Sequence, residues 1–274
     1  MGKFQRLTIV EQVSGGVMVG APNGERRAFL PGRGVEHQLF VSDEVEVFIY
    51  GGRHGEWLAS TILPSAQVGH FALMRCVDVA EHGAYFDWGL PRDLFVPHGM
   101  LHEPVRLGDE AVVIVDLDLD GRLYGATKLR DFLEDSRGQL DEGQEVELLV
   151  YGYNLLGTLV IVDGRFGGLL YRRDTFKPAN IGDRLRGWVQ VVRGDGRVDV
   201  TIHRAGRAGT DDAVTVVWQA LLDGDGFLPL TDKSDPGAIR KRLQLSKKAF
   251  KKAVGSLYKA RKITIEARGI CVID

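Results

Sequence analysis

Gly83-Ala84-Tyr85-Phe86 and Leu94-Phe95-Val96-Pro97, followed by Gly108-Asp109 and then by Gly121-Arg122-Leu123, form a pattern that recurs along the chain. Downstream, Gly157 precedes an apolar triplet and Leu169-Leu170-Tyr171 echoes Leu94-Phe95-Val96. Gly182-Asp183 echoes Gly108-Asp109, and Gly196-Arg197-Val198 echoes Gly121-Arg122-Leu123. The three glycine landmarks repeat at offsets of 74, 74 and 75 residues. Upstream, Gly16 precedes Val17-Met18-Val19, Ala28-Phe29-Leu30-Pro31 resembles the second element, and Asp43 takes the place of Asp109, at offsets of 67 and 66. Spacing this even reads as three tandem copies of one unit, the first the most diverged.

A chain of 274 residues suits several small domains better than one. Polar and turn residues cluster at Pro64-Ser65-Ala66-Gln67, over 134–143 and over 205–212. The expected domains are therefore 1–65, 66–139 and 140–206, with a fourth over 211–274, arranged as an elongated string of beads. Strand signals dominate residues 1 to 204, in short alternating or apolar runs at 5–10, 44–50, 111–115, 145–150 and 198–202. Asn23-Gly24, Asp120-Gly121 and Asp195-Gly196 supply residues that accept positive φ at turns. Five short strands per unit predict small closed β-barrels and a mainly β fold class, since closure removes exposed sheet edges.

From Asp212 the period becomes helical, with Val214, Val217, Trp218, Leu221 and Leu222 on one face and Gly224 and Gly226 as the stop. Asp235 and Pro236 read as the N-cap and first residue of a second helix that turns Ile239 and Leu243 inward. Ser246 caps a third helix running to about Ala260. Ile263–Ala267, a turn at Arg268-Gly269, and Ile270–Ile273 complete a hairpin, which gives the outline of a winged helix. On the third helix Phe250, Val254 and Leu257 share one face, while Lys248, Lys252, Gly255 and Lys259 share the other, flanked by Lys247, Lys251 and Lys262. A lysine face beside a glycine admits a phosphate backbone closely.

The composition, 44% hydrophobic and 26% charged, is that of a soluble globular protein. No apolar run approaches the ~20 residues of a membrane span, and Met1 to Arg6 lacks a secretory apolar core, so the expected compartment is the cytoplasm without a membrane partner. Cys76 and Cys271 lie far apart in apolar strand-like runs and read as buried thiols, not as a disulfide or zinc site. The net charge of −2 divides into −1 for residues 1–65, −6 for 66–140, +1 for 141–210 and +4 for 211–274. Electrostatics would thus place a polyanion at the C-terminal domain and the third unit.

No catalytic constellation emerges. Asp116 to Gly121 imitates the start of a calcium loop, but the twelfth position holds Thr127 where a bidentate Glu is needed. His98 and His102 have no third ligand nearby. The glycines at 51, 52 and 55 lack the Lys-Ser/Thr ending of a phosphate loop. The chain reads as non-enzymatic, without cofactor or metal.

Glu81-His82-Gly83-Ala84-Tyr85-Phe86, followed by Leu94-Phe95-Val96 and by Gly108-Asp109, resembles the S1 domain, an RNA-binding OB-fold. In that family a ring before the glycine, a ring two residues after it, and a histidine or aromatic closing the third-strand triplet form a stacking surface for bases. Carried over by position, the resemblance implies His82 and Tyr85 in the second unit and Tyr171 in the third. Val96 departs from it in the second unit, Leu156 and Leu159 in the third, and Gly15 and Met18 in the first. Three such units with a terminal winged helix resemble the conserved virulence factor B family of bacterial RNA-binding proteins. The resemblance implies single-stranded RNA as the partner and control of gene expression after transcription. Further candidate RNA contacts are Arg172, Arg173, Lys177, Arg184 and Arg186 in the third unit and Lys247, Lys248, Lys251, Lys252 and Lys259 on the last helix. Two other readings are a DNA-binding winged-helix regulator and a scaffold that binds the ribosome or a polymerase. The lysine face opposes the first, because it lacks the Arg, Asn and Gln that read base edges; the acidic second unit favours the other.

Overall fold

The computed structural model describes residues 1–21, 24–32, 39–52, 55–172, 179–202 and 207–273, the side chains of 207–212 excepted. It divides into two compact units, Met1–Leu133 with Ile181–Asp183, and Glu134–Asn180 with Arg184–Asp274. Among the described residues no helix is long and apolar enough to cross a membrane. The fold is mainly β, with three five-stranded barrel units and a C-terminal winged helix.

The first unit holds two of the barrels. In the first, β1 (Phe4–Val13), β2 (Gly16–Gly20), β3 (Arg27–Pro31), β4 (Glu44–Gly51) and β5 (Trp57–Ser60) close in the order β1-β2-β3-β5-β4. In the second, β6 (Phe71–Ala80), β7 (Gly83–Asp87), β8 (Leu94–Pro97), β9 (Glu110–Leu117) and β10 (Leu123–Ala126) form a sheet in the order β10-β9-β6-β7-β8. Its ends come within van der Waals reach: a Cβ on Gly125 of β10 would lie 2.8 Å from Val96 Cγ2 and 2.9 Å from Leu94 Cδ2 of β8. In the second unit, β11 (Glu145–Tyr153), β12 (Gly157–Val162), β13 (Phe166–Tyr171), β14 (Arg184–Val192) and β15 (Val198–Thr201) close like the first barrel.

The repeat has a structural cause. Each opening strand pairs with two neighbours, its first half with the fourth strand and its second half with the second strand. The register shift that allows this falls between Ile9 and Glu11, Cys76 and Asp78, and Val150 and Gly152. These bulges stand at the repeat's own offsets and bend one strand around the barrel. The glycine opening each second strand is equally constrained. A Cβ on Gly16, Gly83 or Gly157 would stand 2.2, 2.2 or 2.1 Å from the carbonyl oxygen of Leu30, Val96 or Leu170. The Gly-Asp landmark is a turn in the left-handed region, with φ of 88° at Gly108 and 91° at Gly182; Ser42 takes that conformation in the first copy at 80°. The following aspartate accepts the backbone N–H three residues back, Arg106 for Asp109 and Phe40 for Asp43.

The first two barrels are joined by a shared core as well as by the chain between them. Val47 and Ile49 of β4 face the first barrel's interior with Ile9, Val19 and Leu30. Phe48 and Tyr50, on the other face of the strand, belong to the cluster that contains Trp88, Leu90, Leu94 and Val113 of the second barrel. Phe48 meets Trp88 edge-on at 5.6 Å. Arg92 Nη1 donates to the Gly51 carbonyl at 2.6 Å, and Trp88 Nε1 to the Arg92 carbonyl at 2.6 Å.

In the winged helix, α1 (Arg207–Leu222) is followed by β16 (Phe227–Leu228), α2 (Pro236–Leu243), α3 (Lys247–Lys259), β17 (Ile263–Ile265) and β18 (Ile270–Val272). Helix α1 begins five residues before Asp212, where no apolar period signals it. Val217 and Leu221 are buried in the core as expected, joined by Ala213, whereas Leu222, expected beside them, is 51% exposed. Both caps form: Asp235 Oδ2 accepts from Gly237 and Ala238, and Ser246 Oγ from Ala249 at 3.1 Å. The two-residue β16 adds a third strand to the expected hairpin, in the order β16-β18-β17. Cys76 is buried and Cys271 half-buried, both as free thiols, and burial pushes the Cys76 thiol up from its ordinary value.

Phe48→Ala is expected to cost roughly 3–5 kcal/mol and to lower the unfolding of the first two barrels together in chemical denaturation; a first-barrel transition moving alone would contradict the shared core. Ser246→Ala should cost about 1 kcal/mol and speed hydrogen exchange in the first turn of α3.

Candidate nucleic-acid interface

Ala84 and Phe86 of β7 point into the second barrel, and so do Leu94 and Val96 of β8. Strand alternation therefore turns Tyr85 and Phe95 outward. They are directly paired across the two strands, with ring centroids 5.1 Å apart and planes inclined at 46°. Each is half-buried, so one face of the pair remains open. His82 is exposed in the turn before β7, where its carbonyl accepts from His98 N at 2.8 Å. The second barrel thus offers a ring pair with an imidazole at one end of its strands.

Strand pairing changes how the copies correspond. Gly83 pairs with Pro97, Gly157 with Tyr171 and Gly16 with Pro31. Leu169-Leu170-Tyr171 therefore matches Phe95-Val96-Pro97, one residue along from the echo seen in the sequence. A one-residue slip exchanges the two faces of a strand. Phe95 is accordingly the outward ring of the second copy, and the triplet reading, which looked to Val96, missed it. The positions of Tyr85 and Phe95 hold Met18 and Phe29 in the first barrel, and Leu159 and Leu169 in the third. Tyr171 is half-buried, and its hydroxyl donates to Asp199 Oδ2 at 3.3 Å.

The cationic candidates of the third barrel are largely engaged. Arg184 is ion-paired with Glu147, and Arg186 Nε lies 3.2 Å from Glu145 Oε1, both across β11 and β14. Arg172 Nη2 donates to the Asn154 carbonyl at 3.3 Å. Arg173 and Lys177 lie outside the described residues. Exposed pairs of this kind contribute at most about 1 kcal/mol, so a phosphate could exchange for the carboxylate at small cost.

Helix α3 is different. Phe250, Ala253, Val254 and Leu257 are buried, and Lys248, Lys251, Lys252 and Lys259 are exposed, with Lys247 half-buried. Among the described residues none of these five lysines is ion-paired. The helix contains no acidic residue. Lys247 and Lys251, and Lys248 and Lys252, are like charges one turn apart, and two of the lysines sit in the first turn against the positive end of the helix dipole; both arrangements oppose the helix. No structural benefit therefore explains the stripe. Tyr258 stands seven residues after Lys251 and is 57% exposed, an aromatic that the apolar-face reading passed over because it falls off the 250–254–257 row. Lys262 is engaged elsewhere, its Nζ 5.2 Å from the centre of the Trp218 ring.

Asp118, in the stretch that imitates a calcium loop, accepts the backbone N–H of Asp120 and Arg122 through Oδ1, and Asp120 is ion-paired with Arg122. These contacts shape a turn. Among the described residues no group of three or more His, Cys, Asp or Glu side chains could hold a metal ion.

Comparison with known proteins gives two family matches: an S1 domain over residues 1–61 and a CvfB-like winged helix domain over 215–271. The S1 match falls on the copy whose landmarks depart furthest from the other two. The conserved virulence factor B of Staphylococcus aureus (strain bovine RF122 / ET3-1) is 24% identical over 97% of this chain and 92% of its own. That of Staphylococcus saprophyticus is 25% identical over 99% and 94%. A crystal structure of a multidomain protein with nucleic acid binding domains from Streptococcus pneumoniae aligns with all of this chain and 98% of its own, at 23% identity and a TM-score of 0.46. S1 and winged-helix domains are nucleic-acid-binding modules, and the two matches stand at the ends of a chain that its relatives match almost throughout. The chain is similar to the conserved virulence factor B proteins over nearly its whole length and carries a CvfB-like winged helix domain.

Proposed function

We propose that the protein is a non-enzymatic, cytoplasmic regulator that binds single-stranded RNA and acts on gene expression after transcription. The observation that carries this reading is the lysine stripe of α3, which has no ion-pair partner among the described residues and opposes helix stability yet matches a chain of phosphates. The Tyr85–Phe95 pair supports single strands over duplex, because a half-open ring pair stacks unpaired bases and has no use for stacked ones. His82 extends that face, and Tyr171, Arg172, Arg184 and Arg186 are secondary contacts on the third barrel. Duplex DNA reading by α3 is the competing function, favoured by the winged-helix fold itself. Its lysines are point charges that track a backbone without distinguishing bases.

Changing Lys247, Lys248, Lys251 and Lys252 together to Glu should weaken binding to labelled single-stranded RNA. It should also flatten the dependence of log affinity on log salt by roughly 0.7 for each phosphate that is no longer neutralised. Fluorescence anisotropy at two salt concentrations checks both, and a preference of the intact chain for duplex DNA would overturn the proposal. Tyr85→Ala and Phe95→Ala should each cost roughly 1–3 kcal/mol of RNA affinity at an unchanged salt slope; full retention of affinity in both would remove the ring pair from the site.

A further inference from the structure

An open groove of about 1820 Å³ runs within the first unit between the first barrel and the outward face of the second. That exceeds the roughly 300–1,000 Å³ of a small-molecule site and suits a polymer. On one wall are Tyr85, Phe95 and Tyr124 of the second barrel; on the other is Trp57 of the first, half-buried at the start of β5. Arg26, exposed, lays its guanidinium over the Trp57 ring at 5.1 Å. The junction between the walls is fixed, because Arg92 bridges to the Gly51 carbonyl and Tyr50 and Trp88 pack in the shared core beneath it. The groove has little net attraction for phosphate: the arginines lining it are matched by carboxylates, and Asp120 already holds Arg122.

We infer that the first barrel completes the second barrel's RNA site: a single strand lies in the groove with bases stacked on Trp57 as well as on Tyr85 and Phe95, and with Arg26 moving off the Trp57 ring to close over the base that takes its place. The inference rests on the RNA-binding reading above. Aromatic and guanidinium planes supply the attraction, so the phosphates stay at the solvent side and few counterions are released. The first barrel, with Met18 in place of the outward tyrosine, then contributes through the rim of β5 instead of through its own ring face. The groove responds to stacking, whereas the α3 surface responds to salt.

The test uses the full chain and a labelled oligouridine of about a dozen nucleotides, within the roughly 4–16 that one barrel of this fold covers. Trp57→Ala should weaken binding roughly 5- to 150-fold with the salt slope unchanged. Arg26→Glu, at an exposed position that leaves the core intact, should weaken it in the same sense and change the slope by no more than about one phosphate's worth. Trp57→Phe, which keeps a ring, should bind within a few-fold of the parent. The emission missing from that variant should be the part that RNA quenches in the parent. Parent-like binding by both Trp57→Ala and Arg26→Glu, with Trp57 emission unaffected by RNA, would overturn the groove and leave the RNA-binding reading in place. Failure of the unaltered chain to bind the oligouridine would instead overturn that reading and the groove with it.

Discussion

From Val47 to Tyr50, β4 has no solvent face. Val47 and Ile49 close the interior of one barrel while Phe48 and Tyr50 enter the core of the next. Each such side chain contributes roughly 1.5–3 kcal/mol on burial, and the strand cannot slip by one residue without exchanging the two cores. This one strand fixes the first barrel on the second. It thereby fixes the Gly51 carbonyl that holds Arg92 and the rim from which Trp57 faces Tyr85 and Phe95. A flexible linker would leave two barrels with two weak faces; a shared strand makes one walled groove.

Helix α3 follows the opposite logic, since its lysine face works against its own stability. Like charges one turn apart and cations in the first turn each cost a few tenths of a kcal/mol up to about 1 kcal/mol. The burial of Phe250, Val254 and Leu257 and the Ser246 cap outweigh that by several-fold. The helix exists because of its inner face, which leaves the outer face free to carry charge that only a polyanion would neutralise.

What could be read in the sequence follows the range of the forces involved. Helix caps are local, so Asp235 and Ser246 were legible from a few residues, as were the repeat landmarks and the outline of the winged helix. Pairings between distant strands were not. The outward place of Phe95 depends on Gly83 meeting Pro97, and the triplet echo was one residue off because only hydrogen bonding between strands sets register. The two-residue β16 was too short to carry a period, and the start of α1 lacks an apolar stripe. Arg184 and Arg186 read as candidate phosphate contacts because Glu147 and Glu145 lie 37 and 41 residues upstream yet face them across the sheet. Residues 44–50 read only as a strand; that Phe48 and Tyr50 are covered on the second face by the next barrel is a tertiary fact.

The landmarks that expose the repeat are folding devices: a glycine that lets a strand approach a carbonyl, a left-handed turn closed by aspartate, and a bulge that lets one strand serve two neighbours. All three copies keep the bulge and the glycine approach, and Ser42 retains the turn geometry without the glycine. The outward face carries no such constraint. Met18 and Phe29, Tyr85 and Phe95, and Leu159 and Leu169 all fit the same pair of sites without disturbing what lies beneath. Landmarks shared by the copies therefore define the barrel, and the residues by which the copies differ define what each barrel can hold. Of the three pairs only that of the second barrel consists of two rings in contact, Tyr85 with Phe95.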